Sequence, residues 1–449
     1  MKLWEKGEET HELIEAFTVG KDRELDLVLA PFDVLGSLAH VKMLEEVGLL
    51  DKEEGKALQE GLVKIFREIE AEDFQIQQGV EDVHSQVELI LTQRLGEVGK
   101  KIHTGRSRND QVLVDLKLYF LYEIEAIQTL THSLFDTLQE LSDTYMGVQL
   151  PGYTHMQVAM PSSFGLWFGA FAESLVDDLW VLHSAYQLAN QNPLGSAAGY
   201  GSSFPLNRSR TTELLGFQTL SYNVVYAQMG RGKTEKYLAY AMAAVGSTLN
   251  KLAADICLYM GQNFGFLSLP EEFTTGSSIM PHKKNPDVFE LVRAHTSLLQ
   301  GLPGTLSMLL SNMPSGYHRD LQLLKEHVFP AIQSLKDCLR ITEHTLQHIR
   351  VRADIMEDPR YAYTYSVEAV NEKVIQGIPF RTAYQEVARE IAEGTYKVPD
   401  RLEHTHEGSL GNLCNGQIRD KMDRVLEQFN FTQIHMAREK LLGSSLSPE

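Results

Sequence analysis

The segment at residues 276–287, GSSIMPHKKNPD, combines hydroxyl and ammonium groups on a flexible backbone. Lys283 and Lys284 follow Ser277 within a few residues. Serine is a poor base at neutral pH, so proton abstraction by Ser277 requires nearby cations or backbone donors that favour its alkoxide. The lysines can also stabilise a substrate carboxylate that gains negative charge. The segment therefore indicates a loop that closes on an anion, or alternatively a solvated linker whose Pro286 opens the next helix.

The segment at residues 103–111, HTGRSRNDQ, places Arg106 and Arg108 beside the predicted start of a helix. Forked guanidinium groups and the N–H groups of a helix N-terminus together bind carboxylates. We therefore expect Arg108 to contact an anionic substrate. The alternative is an ordinary helix cap with solvated charges around it.

Two further turns carry polar side chains. PGYTHMQ places Thr154 and His155 in a turn, and histidine is the side chain most readily tuned for proton transfer near neutral pH. A lone loop histidine is nevertheless more often only solvated. YHRDLQLLK, at residues 317–325, places Gln322 and Lys325 at a spacing that puts them on one face of a helix.

Five long stretches with apolar residues at steps of three and four must position these loops. The pattern predicts amphipathic helices, of which the first would be on the order of 50 Å long. Pro161 and Pro286 suit the first turn of a helix, because the N–H that proline lacks has no partner there. Pro330 lies inside the last stretch and is expected to kink it. The stretches cover residues 112–145, 161–188, 237–260, 286 to about 302, and about 321–349.

The segments before residue 101 and after residue 356 have shorter helical stretches and more charge, which suggests a small helical cap at each end. We predict an all-α fold with a helical N-terminal domain at 1–105, a long-helix central domain at 106–355 and a small helical C-terminal domain at 356–449. The five long stretches contain so many large apolar residues that a monomeric five-helix bundle would expose much of this apolar surface to solvent. Self-association is therefore expected, and the alternative is that the terminal segments cover the apolar stripes.

The bulk charge excludes some classes of partner. The chain has 449 residues, a formal net charge of -19 and a pI near 5.3. Nucleic acids and anionic membranes require a basic face, so the charge argues against both. Three scattered cysteines without a C-x-x-C pair suggest neither a disulfide framework nor a zinc site, and they fit a reducing cytoplasm.

Targeting, membrane and metal signals are also missing from the sequence pattern. The N-terminus lacks the apolar region of a signal peptide, and no apolar run approaches the roughly 20 residues of a membrane span. His344 and His348 are spaced as metal ligands on a helix, but no third ligand accompanies them. We therefore expect structural or solvated histidines and no metal site.

Together, the four motif segments resemble the signatures of a known enzyme family. GSSIMPHKKNPD is similar to the signature loop of the fumarase/aspartase superfamily, and HTGRSRNDQ, PGYTHMQ and YHRDLQLLK narrow the resemblance to the argininosuccinate lyases. DVLGSLAH, EDVHSQVE and GIPFRTA extend it along most of the chain. The resemblance implies a homotetramer, three mostly helical domains per chain, a twenty-helix core formed by four chains, and active sites that each combine three subunits.

The resemblance also implies roles for individual residues. By motif position, Ser277 corresponds to the catalytic base on a mobile loop, Lys283 to the group that stabilises the carbanion, and Asn285 to a substrate ligand. His155 corresponds to the histidine that pairs with the carboxylate at Glu290, either as an acid or as a group that polarises one. The further implied substrate contacts are Asn109, Thr154, Tyr317, Gln322 and Lys325.

The implied reaction is the elimination of arginine from argininosuccinate to give fumarate. The proton removed lies α to a carboxylate, and its loss makes that carboxylate a dianion-like aci form that requires preorganised cations. The guanidinium group then leaves with help from a proton donor. This chemistry requires no cofactor and no metal.

Three other functions fit parts of the sequence. Adenylosuccinate lyase uses the same loop chemistry on a nucleotide, although HTGRSRNDQ argues against it. A catalytically silent structural homologue would be favoured by loss of Ser277, His155 or Lys283, and all three residues are present. A helical scaffold for protein partners would require a large exposed apolar face on the assembled oligomer.

The chain departs from the family pattern at several positions. KDRELDLVLAPFD, at residues 21–33, lacks the serine-containing segment usual there, so no N-terminal serine is assigned. MGRGKTEK, at residues 229–236, replaces the frequent S-D-R-D-F stretch. His318 stands where asparagine is usual, and Leu323 and Leu324 stand where acidic residues are common. We expect these departures to affect local substrate contacts rather than the chemistry.

Overall fold

The computed structural model describes residues 12–399, 402 and 404–443. Sixteen α-helices and six short strands occur within these residues, which confirms the mostly helical fold class. The helices that precede the central bundle are α1 (Glu12–Val19), α2 (Asp22–Glu46), α3 (Lys52–Glu70), α4 (Val83–Leu95) and α5 (Glu97–Lys100). The strands are β1 (Gln149–Thr154), β2 (Gln157–Ser163), β3 (Gln191–Asn192), β4 (Thr219–Leu220), β5 (Leu267–Ser268) and β6 (Arg350–Val351).

Five long helices form the central bundle, as the apolar spacing predicts. The prediction for Pro161 is wrong, because this residue lies in β2 and the helix begins only after Ser163. The Ser163 hydroxyl accepts the N–H of Leu166 at 3.0 Å and thereby caps the helix. Pro286 likewise precedes the first turn of its helix. The bundle helices are α6 (Arg108–Thr144), α7 (Phe164–Ala189), α10 (Lys233–Met260), α11 (Asp287–Leu309) and α12 (Leu323–Leu346), and α8 (Arg208–Leu215) and α9 (Val224–Met229) lie in the connection before α10.

Hydrogen bonds show that α6 and α7 are antiparallel. Lys117, near the start of α6, donates to the carbonyl of Leu188, near the end of α7, at 2.6 Å. Ser142, near the end of α6, donates to the carbonyl of Gly165, at the start of α7, also at 2.6 Å. The next helices continue this alternation. Between α7 and α10, Trp167 donates to Asp255 at 3.1 Å, and Ser174 is hydrogen-bonded to Thr248 at 2.9 Å. Between α10 and α11, Asn250 donates to Thr296 at 3.1 Å, and a Cβ added at Gly246 would lie 3.5 Å from Leu299.

In contrast, α12 runs parallel to α6. Lys336 forms an ion pair with Glu123 at 2.5 Å, and about two to three turns further along both helices Ser133 donates to Glu343 at 2.7 Å. The bundle therefore has two distinct ends. The proximal end contains the starts of α6, α10 and α12, and the distal end contains the starts of α7 and α11. The 37 residues of α6 separate the two ends by about 55 Å.

The N-terminal helix α2 has 25 residues, so the expectation of shorter helices before residue 101 is wrong. By length and composition alone it could cross a membrane, contrary to the expectation of no such apolar run. However, 72% of its apolar window is buried, and a core helix of a soluble protein passes the same test. A Cβ added at Gly36 would lie 3.1 Å from Val114, so α2 packs directly on α6.

The C-terminal segment contacts the rest of the chain in two ways. Its helices are α13 (Ser366–Ile375), α14 (Phe380–Glu393), α15 (Asn415–Leu426) and α16 (Thr432–Leu442). A small apolar cluster of its own holds α13 to α14 and comprises Ala369, Val370, Ala383 and Val387. By contrast, α15 and α16 pack on the bundle, where Lys421 pairs with Glu173 at 2.5 Å and His435 with Glu125 at 2.8 Å.

Candidate active site

A cavity of about 130 Å³ opens at the proximal end, between α2, the start of α6 and the segment that leads into α12. Five predicted site residues from distant parts of the sequence line it, namely Arg108, Asn109, Tyr317, Gln322 and Lys325. Charged side chains that the sequence did not assign to the site also line it, namely Asp22, Asp26, Glu81, Asp82, His84, Arg231 and Arg319.

Lys325 forms a buried ion-pair cluster with two aspartates of α2. Its Nζ lies 2.5 Å from Asp26 and 2.8 Å from Asp22. Burial alone would lower the pKa of Lys325, but the carboxylates of Asp26 and Asp22 outweigh it and hold that pKa above its ordinary value. Burial raises the pKa of Asp22 to about 6, although Lys325 favours its ionised form. The ammonium is therefore fixed in place, and two carboxylates surround a single positive charge.

The guanidinium of Arg108 is held by the segment that begins α4. It pairs with Glu81 at 2.7 Å and Asp82 at 3.2 Å, and it donates to the Ser85 hydroxyl at 2.6 Å. Arg319, from the other side of the cavity, pairs with the second oxygen of Glu81 at 3.0 Å. One carboxylate thus connects two arginines and fixes both in the cavity wall.

A capping box positions the arginine motif at the start of α6. The backbone N–H of Ser107 donates to Asp110 at 2.9 Å, and the Ser107 hydroxyl accepts the N–H of Asn109 at 3.3 Å. The other oxygen of Asp110 accepts the N–H groups of Gly195 and Ala197, at 3.0 and 2.9 Å. The ordinary helix cap is therefore present, and it holds the first turn of α6 so that Arg108 and Asn109 line the cavity.

His84 connects the cavity to a buried polar network. Its Nδ1 lies 2.6 Å from Asp33 and 3.7 Å from Asp115. Burial alone would lower the pKa of His84, but the carboxylate of Asp33 outweighs it and raises that pKa to about 9. The three side chains have the ligand types and close spacing of a metal site. The protonated imidazole already supplies a positive charge between the carboxylates, and a metal would have to displace its proton.

Some of the unassigned cavity residues had a signal in the sequence. Asp22 and Asp26 lie four positions apart, which places both on one face of α2. Glu81, Asp82 and His84 cluster in EDVHSQVE, just where a helix N-cap is expected. No local pattern links either group to the lysine and arginines that they contact.

Thr154 and His155 lie at the distal end, at the tip of the β1–β2 hairpin. Thr154 pairs with Gln157, so His155 and Met156 form a two-residue turn. Both turn residues have positive φ, 52° and 59°, as a type I′ turn requires. Residues other than glycine, asparagine and aspartate adopt this conformation at an energetic cost. They keep it only where the surrounding structure holds the backbone in place. The turn presents His155 to solvent.

The GSSIMPHKKNPD loop also lies at the distal end, before α11. The Ser277 hydroxyl oxygen accepts the backbone N–H groups of Ile279 at 3.3 Å and Met280 at 3.1 Å. Two such donors favour negative charge on that oxygen. The N–H of Asn285 donates to the carbonyl of Thr275 at 2.9 Å, which closes the neck of the loop.

The predicted site is not assembled within one chain. Lys283 is exposed on the distal loop, and Glu290 is exposed in the first turn of α11. Within the described residues, no hydrogen bond or ion pair joins His155 to Glu290. The length of the bundle separates the cavity residues from the remaining six predicted site residues, namely Thr154, His155, Ser277, Lys283, Asn285 and Glu290.

Sequence comparison gives matches over most of the chain. Residues 5–301 match the lyase family. The chain is 57% identical to the argininosuccinate lyase of Parabacteroides distasonis, over 98% of this chain and 99% of that protein. It is 42% identical to the argininosuccinate lyase of Thermotoga neapolitana, over 86% of this chain and 97% of that protein.

Solved structures with the same fold are more distant in sequence. An EDDS lyase variant with bound fumarate has a TM-score of 0.76 at 22% identity, over 98% of this chain and 96% of that one. A class II fumarase from Schistosoma mansoni has a TM-score of 0.70 at 16% identity, over 96% of this chain and 95% of that one. These structures support the mostly helical architecture.

Proposed function

Because the chain belongs to the argininosuccinate lyase family, we infer that it cleaves the C–N bond of argininosuccinate to give L-arginine and fumarate. The observation that carries this inference is the 57% identity to an argininosuccinate lyase over nearly the full length of both chains. The chain also retains Ser277, His155 and Lys283, the residues that the motifs associate with the elimination.

In the proposed reaction, the Ser277 alkoxide removes the proton α to a succinyl carboxylate. The electron pair of the broken C–H bond moves into that carboxylate and gives an aci dianion, which the Lys283 ammonium stabilises. The pair then returns to form the C=C bond of fumarate while the C–N bond breaks. The departing guanidino nitrogen takes a proton, and His155 paired with Glu290 is our candidate for supplying or polarising that proton. The two N–H groups that contact the Ser277 oxygen support its role as the base.

The arginine part of the substrate binds in the proximal cavity in this proposal. Asp22 and Asp26 outnumber the single positive charge of Lys325, so this part of the cavity favours a cationic group such as the substrate ammonium. Arg108 and Arg319 place two further positive charges in the cavity wall, which favour carboxylates on the same molecule. We assign Asn109, Tyr317 and Gln322 as further substrate contacts on the cavity wall.

The active enzyme is a homotetramer in this proposal, with each site shared among subunits. Its two groups of site residues lie about 55 Å apart in one chain, so a complete site requires the proximal end of one copy and distal ends of others. The bundle exposes large apolar side chains that such a twenty-helix core would cover, among them Leu291, Leu298 and Met308. We further propose a cytoplasmic location and keep the domain boundaries at 1–105, 106–355 and 356–449.

The direct test is to incubate the purified protein with argininosuccinate and to follow fumarate by its ultraviolet absorbance. A parallel reaction with adenylosuccinate separates the two lyase activities. Fumarate from argininosuccinate alone is the expected result. Fumarate release from adenylosuccinate alone would mean that adenylosuccinate is the substrate. No fumarate release from either compound would favour a catalytically silent homologue.

A further inference from the structure

A second and larger cavity, of about 550 Å³, lies beside the proximal cavity. Its wall combines the start of α10 with the segment between α11 and α12. Arg231, Lys233, Lys236 and His318 line it, and none of the described residues in its lining carries a carboxylate. In a chain with a net charge of -19, such a concentration of basic groups is a local exception. The cavity therefore favours anions.

Among the three arginine and lysine side chains of this lining, two have no ion-pair partner within the described residues. Arg231 is buried and forms an ion pair with Glu235 at 3.2 Å, so its charge is balanced. Lys233 and Lys236, in contrast, form no ion pair within the described part of the chain. Their ammonium groups lie 5.8 and 6.0 Å from the ring centroids of Tyr226 and Tyr240, and such contacts still leave a cation able to bind an anion.

The rest of the cavity is aromatic and apolar. Tyr237 and Tyr240 lie edge to face with ring centroids 6.4 Å apart, and Leu310 and Met313 face the same space. The volume falls within the range of small-molecule and cofactor sites and is much larger than a simple inorganic anion requires. A ligand that fills it must therefore have both a charged and an apolar part.

The cavity also coincides with departures from the family pattern. MGRGKTEK, which replaces the usual S-D-R-D-F stretch, supplies Lys233 and Lys236, and His318 replaces the usual asparagine. These substitutions are distant in sequence and meet in one wall. The proposed cleavage of argininosuccinate uses neither lysine, so the cleavage does not account for them.

We propose that this cavity binds an organic phosphate of nucleotide size, with its phosphoryl group on Lys233, Lys236 and His318 and its ring system against Tyr237 and Tyr240. The site communicates with the proximal cavity because Arg231 lines both. Arg231 also donates to the carbonyl of Leu321, next to the substrate contact Gln322. Resting on the proposed function, we expect bound phosphate to weaken substrate binding and to raise KM more than it lowers kcat.

Calorimetry on the assembled protein tests the binding directly, with adenosine 5′-monophosphate, inorganic phosphate and adenosine as probes. We expect the nucleotide to bind about tenfold or more tightly than either fragment, because only it engages both halves of the cavity. The double variant Lys233→Ala/Lys236→Ala should weaken nucleotide binding about tenfold or more. Lys251→Ala, an exposed lysine further along α10, is the matched control and should leave it unchanged.

Equal binding of the nucleotide and adenosine, no nucleotide binding, or unchanged binding by the double variant would each overturn the proposal. Light scattering on each variant checks that the assembly is retained. Nucleotide binding without fumarate release would support this site and contradict the proposed function. Cleavage of argininosuccinate without nucleotide binding would support the proposed function and contradict this site.

Discussion

The two ends of the bundle hold their polar groups in opposite ways. At the proximal end, Lys325 is only 4% exposed, and it forms ion pairs with two aspartates of α2. At the distal end, Ile279 of the GSSIMPHKKNPD loop is 82% exposed, and the hydroxyl of Ser277 accepts hydrogen bonds from backbone groups of its own loop. Burial thus fixes the proximal groups, whereas the distal loop can change conformation with little loss of packing.

This difference suggests a division of work between the ends. Long-range ion pairs give the cavity a fixed shape, which suits recognition of a substrate with several charges. A loop with local contacts can close after the substrate has bound and can exclude water from the reacting atoms. The sharpest tests therefore change one end while the other is kept intact.

The largest effect is expected from removal of the distal hydroxyl. Ser277→Ala should lower kcat by about 10³-fold or more, because the variant has no base to remove the proton. The measurement is the rate of fumarate release at saturating argininosuccinate. Ser278→Ala, one position along the same loop, is the control and should stay close to the parent rate. Near-normal turnover by Ser277→Ala would remove this residue from the mechanism.

Mixed assemblies test whether the two ends act across subunits. Asn109→Ala alters only the proximal end and Ser277→Ala only the distal end, so each variant alone should be nearly inactive. In equally mixed oligomers, roughly one quarter of the sites should combine two intact ends, if different chains supply them. The readout is fumarate release by co-expressed variants whose mixing is verified by mass spectrometry. Verified mixing without recovered activity would mean that one chain supplies both ends.

Stability should depend strongly on the proximal ion pairs. Lys325→Met leaves the buried carboxylate of Asp26 and the partly buried carboxylate of Asp22 without their cation and should lower the free energy of unfolding by about 3–5 kcal/mol. Urea unfolding followed by circular dichroism measures this change. Lys56→Met breaks the exposed pair with Glu60 and should cost less than about 1 kcal/mol. Equal losses in the two variants would contradict the difference in burial.

The pH dependence of stability should report on His84. Its pKa is about 9 in the fold and 6.5 for an ordinary histidine, so the folded state holds the proton more tightly. The resulting stabilisation, about 3 kcal/mol, is fully present below pH 6.5 and is lost as the pH rises to 9. Thermal unfolding between pH 6 and 10 should show this loss. His84→Asn should flatten the profile, and the half-exposed control His132→Asn should not.

The smallest effect is expected at the distal hairpin. Methionine adopts the positive φ at position 156 at an energetic cost that glycine does not have. Met156→Gly should therefore raise the free energy of unfolding by less than about 1 kcal/mol. Val158→Gly, in the adjoining strand, should destabilise instead. Urea unfolding of both variants provides the comparison. A loss of stability in Met156→Gly would show that the methionine side chain contributes more than the turn costs.

The fold was largely predictable because apolar spacing is a local property. The steps of three and four residues along α6 reveal its helix directly. Local propensity predicts the first turn of a helix at Pro161, but pairing with β1 places this residue in a strand, and the cap by Ser163 starts the helix later. Such pairing depends on a second segment, which local propensity does not describe.

The sequence suggests residue types for the candidate site but does not predict their arrangement. Arg108 and Lys325 were identified from their motifs, yet the carboxylates that hold them come from segments without a local link to either. The sequence pattern also does not predict that Ser277 lies far from the cavity within one chain. Motif spacing describes neighbours along one helix or turn, whereas the direction of each bundle helix is set by packing.

The pairing of Asp26 with Lys325 spans 299 residues and has a consequence for biosynthesis. At about 5–20 residues per second, a ribosome needs roughly 15–60 s to add the lysine after the aspartate has been made. During that interval the two aspartates of α2 cannot form their ion pairs with Lys325. This face of the nascent N-terminal segment is therefore expected to stay hydrated, and the ion pairs with Lys325 can form only when most of the polypeptide has been translated.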